Sequence, residues 1–333
     1  MITINQSSIV RLPRQNVPQE QPQAATSTLP GSSAQVFAFV DPGLTRSAPA
    51  PLRSREPNRV EDALDALGQS AVQIRPPASP AQQRLLDELV GALQEDRLQV
   101  YFQTQHDLAT GHVTGCEALL RLSDAAGELL DTQTLIELAE AFDLIVLVGR
   151  QFMRKALREF AALRSEGLMQ GVLAINMSPL ELAHPGYATA LLDAVATAGL
   201  RPSDLELEVT ESRPLEDPRL LLEQLERLAA AGVGLAVDDF GTGYAGWHTI
   251  ARLPVRAVKL DRSLVARLSQ CNRAKTLVRH LAVSGEELGF ELVAEGIENP
   301  VQLQQLAELG CRRGQGYYLG LPQPASAYRR ENS

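Results

Sequence analysis

The 333-residue sequence predicts an α/β fold: a β/α barrel of about eight strands behind a long N-terminal tail. Three observations predict it. Apolar runs of strand length alternate with helical patterns from residue 79 onward. Single polar residues interrupt or end those runs: Glu117, Asn176, Glu208, Asp238, Asp239, Lys259, Glu295 and Gln315. A charge at the end of a buried strand must be compensated, and several such ends meeting at one barrel rim would form an oxygen-lined pocket. Residues 1–78 lack the alternation. Eleven of the 20 prolines fall in the first 80 residues, among Gln, Ser and Ala. Such a segment buries too little apolar surface to offset its ordering entropy and reads as largely disordered.

Order is expected from Ser79-Pro80. Ser79 suits a helix cap, Pro80 the first helical position and Gln82 a capping-box partner. Leu85, Leu86, Leu89, Val90 and Leu93 then form one apolar face. Leu98–Gln103 reads as a strand, 109–111 as a turn, and the strand containing Glu117 as the second arm of a hairpin. Helical patterns cover 132–142 and 146–165. A strand at Val172–Ser178 precedes helix to about 198. Leu205–Glu211 is a strand and 216–231 a helix. Gly234–Asp239 is a strand with a short helix after it. Arg256–Asp261 and Glu291–Gly296 are strands, followed by helices at 272–288 and 300–309. A last short strand holds Gln315–Tyr318. A doubly wound open sheet is the competing arrangement, but neither GxGxxG nor GxxxxGK[ST] follows any strand.

Two domains are expected: the tail, 1–78, and a barrel, 79–328. Within the tail, Val36–Val40 is a β-prone island and Val60–Leu67 could form a helical turn or two. The tail reads as a tether, or alternatively as a segment that folds on a protein partner. A net charge of −9 and pI near 5.2 argue against non-specific binding to a nucleic-acid polymer. An anionic substrate stays open, because bound cations can invert the local field. Cys116, Cys271 and Cys311 are widely spaced and show no zinc or disulfide pattern, so a reducing cytoplasm is the expected location. The first ten residues lack a secretion signal, and the longest apolar stretch, Leu144–Val148, is too short for membrane insertion.

Asp238-Asp239 is the sharpest local signal, since adjacent carboxylates repel unless a cation intervenes. A turn with a helix cap is the bland alternative. Glu206, Glu208 and Thr210 would share one strand face, which must be either solvent or the barrel interior. Asn176 is either a turn residue or a neutral ligand. Lys259 lies between Val258 and Leu260 and needs a carboxylate, for which Asp261 is the nearest candidate. Glu117 and Glu295 each end an apolar run. The recurrence at strand after strand is what independent caps would not produce.

Together these residues resemble the EAL-domain family of bacterial cyclic di-GMP phosphodiesterases. The tripeptide Glu117-Ala118-Leu119 is followed by Leu120-Arg121, and AINMSP, LELEVTES, DDFGTGY, VKLDRSLV, VAEGIEN and GCRRGQGYYLGLP follow in family order over residues 82–325. The resemblance implies a modified TIM-type (β/α)8 barrel whose first strand runs antiparallel, in agreement with the hairpin. It implies two Mg²⁺ or Mn²⁺ ions. Glu117, Asn176, Glu208 and Asp238 would hold one, and Asp238, Asp239 and Glu295 the other. Catalysis would rest on Glu117, Asp238 and Lys259, the lysine orienting or deprotonating a water that attacks one phosphodiester phosphorus to give linear pGpG. Gln103, Arg121 and Gln315 would contact guanine or phosphate. Glu211 would brace the loop after Asp239, and Glu298 would support the site from outside. A homodimer is implied as well. Oxygen ligands without cysteine or histidine suit Mg²⁺ or Mn²⁺ better than zinc.

The chain departs from the family pattern at Thr104 (usually proline), Leu122 (usually tryptophan), Ala245-Gly246 (usually Ser-Ser), and Arg256 and Arg312 (usually acids). None of these removes an expected ligand. The loop change bears on the alternative function, a cyclic di-GMP receptor or protein-interaction module with little or no turnover.

Overall fold

The computed structural model describes residues 79–124, 127–210, 218–240 and 250–331. The readings of residues 1–78, of Glu211 and of Ala245-Gly246 fall outside the described residues, as does the side chain of Asp239.

Helix α1, Pro80–Gln94, starts where its cap residues place it. Ser79 Oγ accepts from the Gln82 backbone N–H at 3.2 Å, and Leu86, Leu89, Val90 and Leu93 are buried. Strands β1 (Gln99–Asp107) and β2 (Val113–Arg121) form the expected hairpin, with Gln103 opposite Glu117. The Asp107 carboxylate accepts from the N–H groups of Ala109 and Thr110, and Gly111, at φ 74°, reverses the chain.

From β2 the sheet continues in parallel through β3 (Val172–Met177), β4 (Leu205–Thr210), β5 (Gly234–Phe240), β6 (Ala257–Leu260), β7 (Glu291–Ala294) and β8 (Arg313–Gly314). β8 then pairs antiparallel with β1, at Asp107–Arg313, and closes an eight-stranded barrel. The first strand is therefore the antiparallel one. Between the strands lie α2 (Thr132–Ala141), α3 (Ile145–Ser165), α4 (Pro179–Leu182), α5 (Tyr187–Thr197), α6 (Pro218–Ala230), α7 (Arg262–Arg267), α8 (Asn272–Leu288) and α9 (Pro300–Glu308). A short β9 (Gln323–Pro324) adds to β1, and α10 (Ala325–Glu331) follows it.

Three expectations need correction. The single helix expected to reach 198 is two, because His184-Pro185-Gly186 interrupts it and Gly186 adopts φ 78°. The last barrel strand is Arg313–Gly314, and Gln315 to Tyr318 lie beyond it. Tyr317 and Tyr318 are exposed rather than packed on the sheet. The terminal β9 and α10 were not anticipated.

Strand alternation separates two environments. Leu173, Ile175, Leu207, Val237, Val258 and Leu260 point outward and join the main core under the helices. Ala236, Ala257 and Val293 point inward and form a small apolar cluster of their own. The same inward parity carries Glu206, Glu208, Lys259, Arg313 and Gln315, all buried. The barrel interior is thus polar at both ends with a thin apolar layer between. Among the described residues, no helix is long and apolar enough to cross a membrane.

Candidate active site

Lys259 Nζ is the centre of the site. It lies 2.6 Å from Glu208 Oε2, 2.7 Å from Glu295 Oε1, 3.3 Å from Asp238 Oδ1 and 3.7 Å from Glu117 Oε1. These four acids come from β2, β4, β5 and the residue after β7, so the parallel register gathers what is remote along the chain. Glu208, Asp238 and Glu295 sit at or near the carboxyl ends of their strands, where β/α barrels build their sites, and Glu117 lies midway along β2. Asn176, paired with Glu208 in the β3–β4 register, donates from Nδ2 to Glu117 Oε1 at 2.5 Å. Gln315 donates from Nε2 to Glu117 Oε2 at 2.5 Å and to Glu295 Oε1 at 3.2 Å. Gln103 is buried on the neighbouring strand and donates to the Gly320 carbonyl at 2.9 Å. Arg121 lies at the end of β2, donating to the Leu120 carbonyl, with its guanidinium 5.9 Å from the Tyr101 ring centroid.

Asp261 is not the partner of Lys259. β6 ends at Leu260, and Asp261 turns away to cap α7, accepting from the Ser263 N–H at 2.9 Å. Both Glu206 and Glu208 point into the barrel, one layer apart, so the solvent-face alternative does not hold. Glu206 pairs with Arg313 at 2.8 Å rather than with Lys259. Glu298 is exposed, and its described contact is through the backbone N–H to Gln302 Oε1. Among the described residues, no hydrogen bond or ion pair links its carboxylate to the cluster.

The electrostatics follow from four acids sharing one ammonium. Burial opposes the charge on Lys259, but the surrounding carboxylates outweigh it and hold its pKa well above the ordinary range. Burial also raises Glu117, yet Lys259 and the donors Gln315 and Asn176 hold it below the usual carboxylate value. Burial and the charge of Glu117 push Glu208 well up, against the pull of Lys259. Glu295 is pushed up to about 7, chiefly by burial. Four acids thus share one ammonium, and burial works against the ionisation of Glu208 and Glu295 in particular.

Among the described residues, no three carboxylates are drawn together tightly enough to hold an ion as they stand. Lys259 Nζ occupies the point on which they converge. The chemistry of the donor set nonetheless fits hard dications: the donors are oxygens, the acids outnumber the lysine, and Glu208 Oε1 is buried without a hydrogen-bond partner. Glu117, Asn176, Glu208, Asp238 and Glu295 could hold such ions.

A groove of about 340 Å³ opens on this cluster past Asp238 and Asn176, and Arg121, Thr132 and Ser178 also line it. A cavity of equal volume beside Lys155 lies away from the carboxylates. Two groove residues, Glu140 and Glu181, were not singled out in the sequence. Ser178-Pro-Leu-Glu181 carries a readable capping-box spacing, and the box forms: the Glu181 carboxylate accepts from the Ser178 N–H at 3.1 Å. Gln105 and Arg313, which reach Gln315 from below, carried no comparable signal.

The EAL domain family matches residues 86–322. The chain is 36% identical over 244 residues to the bifunctional diguanylate cyclase/cyclic di-GMP phosphodiesterase MucR of Pseudomonas aeruginosa, covering 73% of this chain and 36% of MucR. It is 34% identical to the cyclic di-GMP phosphodiesterase NbdA of the same organism, covering 72% of this chain and 31% of NbdA. The chain thus spans about a third of the length of these relatives. A solved structure described as the PaMucR phosphodiesterase in complex with c-di-GMP superposes with a TM-score of 0.68 at 35% identity, covering 73% of this chain and 99% of that one. The family match over 86–322, on a barrel whose rim gathers the acids of its motifs, establishes that this chain belongs to the EAL domain family.

Proposed function

We propose that this chain hydrolyses cyclic di-GMP to linear pGpG with the help of two Mg²⁺ or Mn²⁺ ions, and so lowers the level of that second messenger. The observation that carries the reading is the convergence of Glu117, Glu208, Asp238 and Glu295 on Lys259 Nζ, in a chain of this family. A phosphodiester anion resists attack by hydroxide, so the catalyst must neutralise charge and supply a nucleophile near neutral pH. Bound dications would supply both the activated water and the charge neutralisation.

The chain's own residues do the rest. Glu117, Asn176, Glu208 and Asp238 would hold one ion, and Asp238, Asp239 and Glu295 the other. Lys259, bonded to Glu208 and Glu295, would orient the attacking water, or accept its proton, where dications rather than the ammonium balance those acids. Arg121, which lines the groove, and Gln103, opposite Glu117 on β1, hold phosphate or guanine, and Gln315 completes the contact beside Glu117. Glu211 would brace the loop after Asp239, as the family resemblance implies, while the exposed Glu298, whose carboxylate makes no bond to the cluster among the described residues, would act on the site only indirectly. The protein works in the cytoplasm as a homodimer.

The test is incubation of the full chain with cyclic di-GMP and Mg²⁺ or Mn²⁺. Conversion to pGpG is expected, and Asp238→Ala should abolish it while leaving the fold intact. Ala245-Gly246 in the loop behind the aspartates favours the second reading, a receptor with little turnover. Tight binding in Ca²⁺ with negligible hydrolysis in Mg²⁺ would establish that reading in place of the first.

A further inference from the structure

A chain of side chains runs inside the barrel from its amino-terminal end to the carboxylate cluster. Arg313 sits at the lower end, buried. Its Nη2 donates to Glu206 Oε1 and Oε2 at 2.8 and 3.1 Å and lies 3.1 Å from Glu291 Oε1. Its Nη1 donates to Gln105 Oε1 at 3.2 Å. Gln105, 1% exposed, passes the bond on: its Nε2 donates to Gln315 Oε1 at 3.0 Å. Gln315 then donates to Glu117 and Glu295.

The polarity of this chain has one solution. A guanidinium only donates, so the Gln105 oxygen must face Arg313. The Gln105 amide nitrogen therefore faces Gln315 and requires an oxygen there. That places the Gln315 amide nitrogen against the carboxylates, which accept. A reversal at any link would set donor against donor or oxygen against oxygen in a buried site, where each unmet group is costly.

We propose that Arg313 and Gln105 are positioning residues that lock the Gln315 amide with its donors toward Glu117 and Glu295, and thereby orient those two acids for a divalent cation. The inference rests on the metal-dependent reading above and goes beyond it, because neither residue touches substrate or ligand set directly. Partners of this kind, one shell beyond the ligands, commonly alter metal affinity by about 10- to 100-fold.

Gln105→Glu is the discriminating change. It keeps the shape and gives Arg313 a carboxylate, but presents an acceptor to Gln315. The Gln315 amide then turns its donors down and its oxygen toward Glu117 and Glu295. An added negative charge would by itself strengthen cation binding, so weakened binding reports the polarity. Mn²⁺ affinity is read by paramagnetic resonance of free Mn²⁺, independently of turnover, with the melting temperature of the metal-free protein measured alongside.

The expected result is Mn²⁺ binding weakened about tenfold in Gln105→Glu, with metal-free melting at or above that of the wild type. Gln105→Met, which adds no charge and leaves Gln315 free to turn, should weaken binding about threefold and carries the test should the acid unfold the barrel. Wild-type Mn²⁺ affinity in a folded Gln105→Glu, or in Gln105→Met if the acid does not fold, overturns the inference alone. Failure of the wild-type protein to bind Mn²⁺ overturns the metal reading and this inference with it.

Discussion

Replacing Lys259 with methionine removes the one positive charge, among the described residues, that four buried or half-buried carboxylates within 3.7 Å share. Met fills similar volume, so the loss is electrostatic. Removing one partner of a buried ion pair costs about 3–5 kcal/mol, because the other is left uncompensated. For a domain of this size that corresponds to a melting temperature lower by about 10 °C. Protons can replace the ammonium, which gives the effect a pH sign. Glu208 and Glu295 are shifted upward by burial even with the lysine present, Glu295 to about 7, and they lose its opposing pull in the variant. Groups shifted upward favour the folded state below their unfolded pKa, and that support is lost as pH rises through the folded value. The deficit of Lys259→Met should therefore be small near about pH 5 and reach its full size near about pH 8. The assay is thermal melting of both proteins in chelator at the two pH values, followed by addition of Mn²⁺, which should restore part of the loss. A variant that melts with the wild type at the higher pH, or suffers more at the lower one, would refute the reasoning.

Glu181 offers a second pH test. Burial, and then the charge of Glu140, push its pKa up to about 8 against the Ser178 N–H and Arg150, and its Oε1 has no hydrogen-bond partner. Glu181→Gln, which cannot ionise, should be more stable than the wild type by about 1–2 kcal/mol near pH 8, with the gap closing toward pH 5, as read by denaturant melts. Gly149 lies against that carboxylate, and a methyl group there would overlap it. Gly149→Ala should cost about 1–3 kcal/mol in the same melts, and an unchanged midpoint would contradict this packing. Glu117→Gln, which halves the ligand capacity of an acid held ionised by its neighbours, should lower turnover more than about 100-fold without lowering the metal-free melting temperature.

The sequence exposed the upper layer of the barrel and concealed the lower one, for a physical reason. Glu117, Glu208, Lys259 and Glu295 each interrupt or end an apolar run, and a lone charge in that setting demands compensation whatever the fold. Their convergence on one nitrogen followed once the strands were parallel and in register. Arg313 and Gln105 stood in polar or glycine-rich surroundings, where a charge demands nothing, and their hydrogen bond joins residues 208 positions apart. The final strand was misplaced for a related reason. Barrel closure selects Arg313–Gly314, against the strand preference of Tyr317-Tyr318, because pairing with β1 and β7 outweighs local propensity. The break between α4 and α5 is legible in His184-Pro185-Gly186, where the proline and a glycine at φ 78° end one helix and begin the next.

The proposed chemistry requires carboxylates from remote strands to bind a pair of dications at one rim. Anomalous scattering from crystals grown with Mn²⁺ and cyclic di-GMP, at the Mn absorption edge, tests that most directly. Two peaks per chain are predicted, within ligand distance of Glu117, Asn176, Glu208, Asp238 and Glu295, with Lys259 Nζ drawn away from at least one of its present partners. Cyclic di-GMP bound in the groove with no peak at the rim, and the lysine still bridging Glu208 and Glu295, would contradict it.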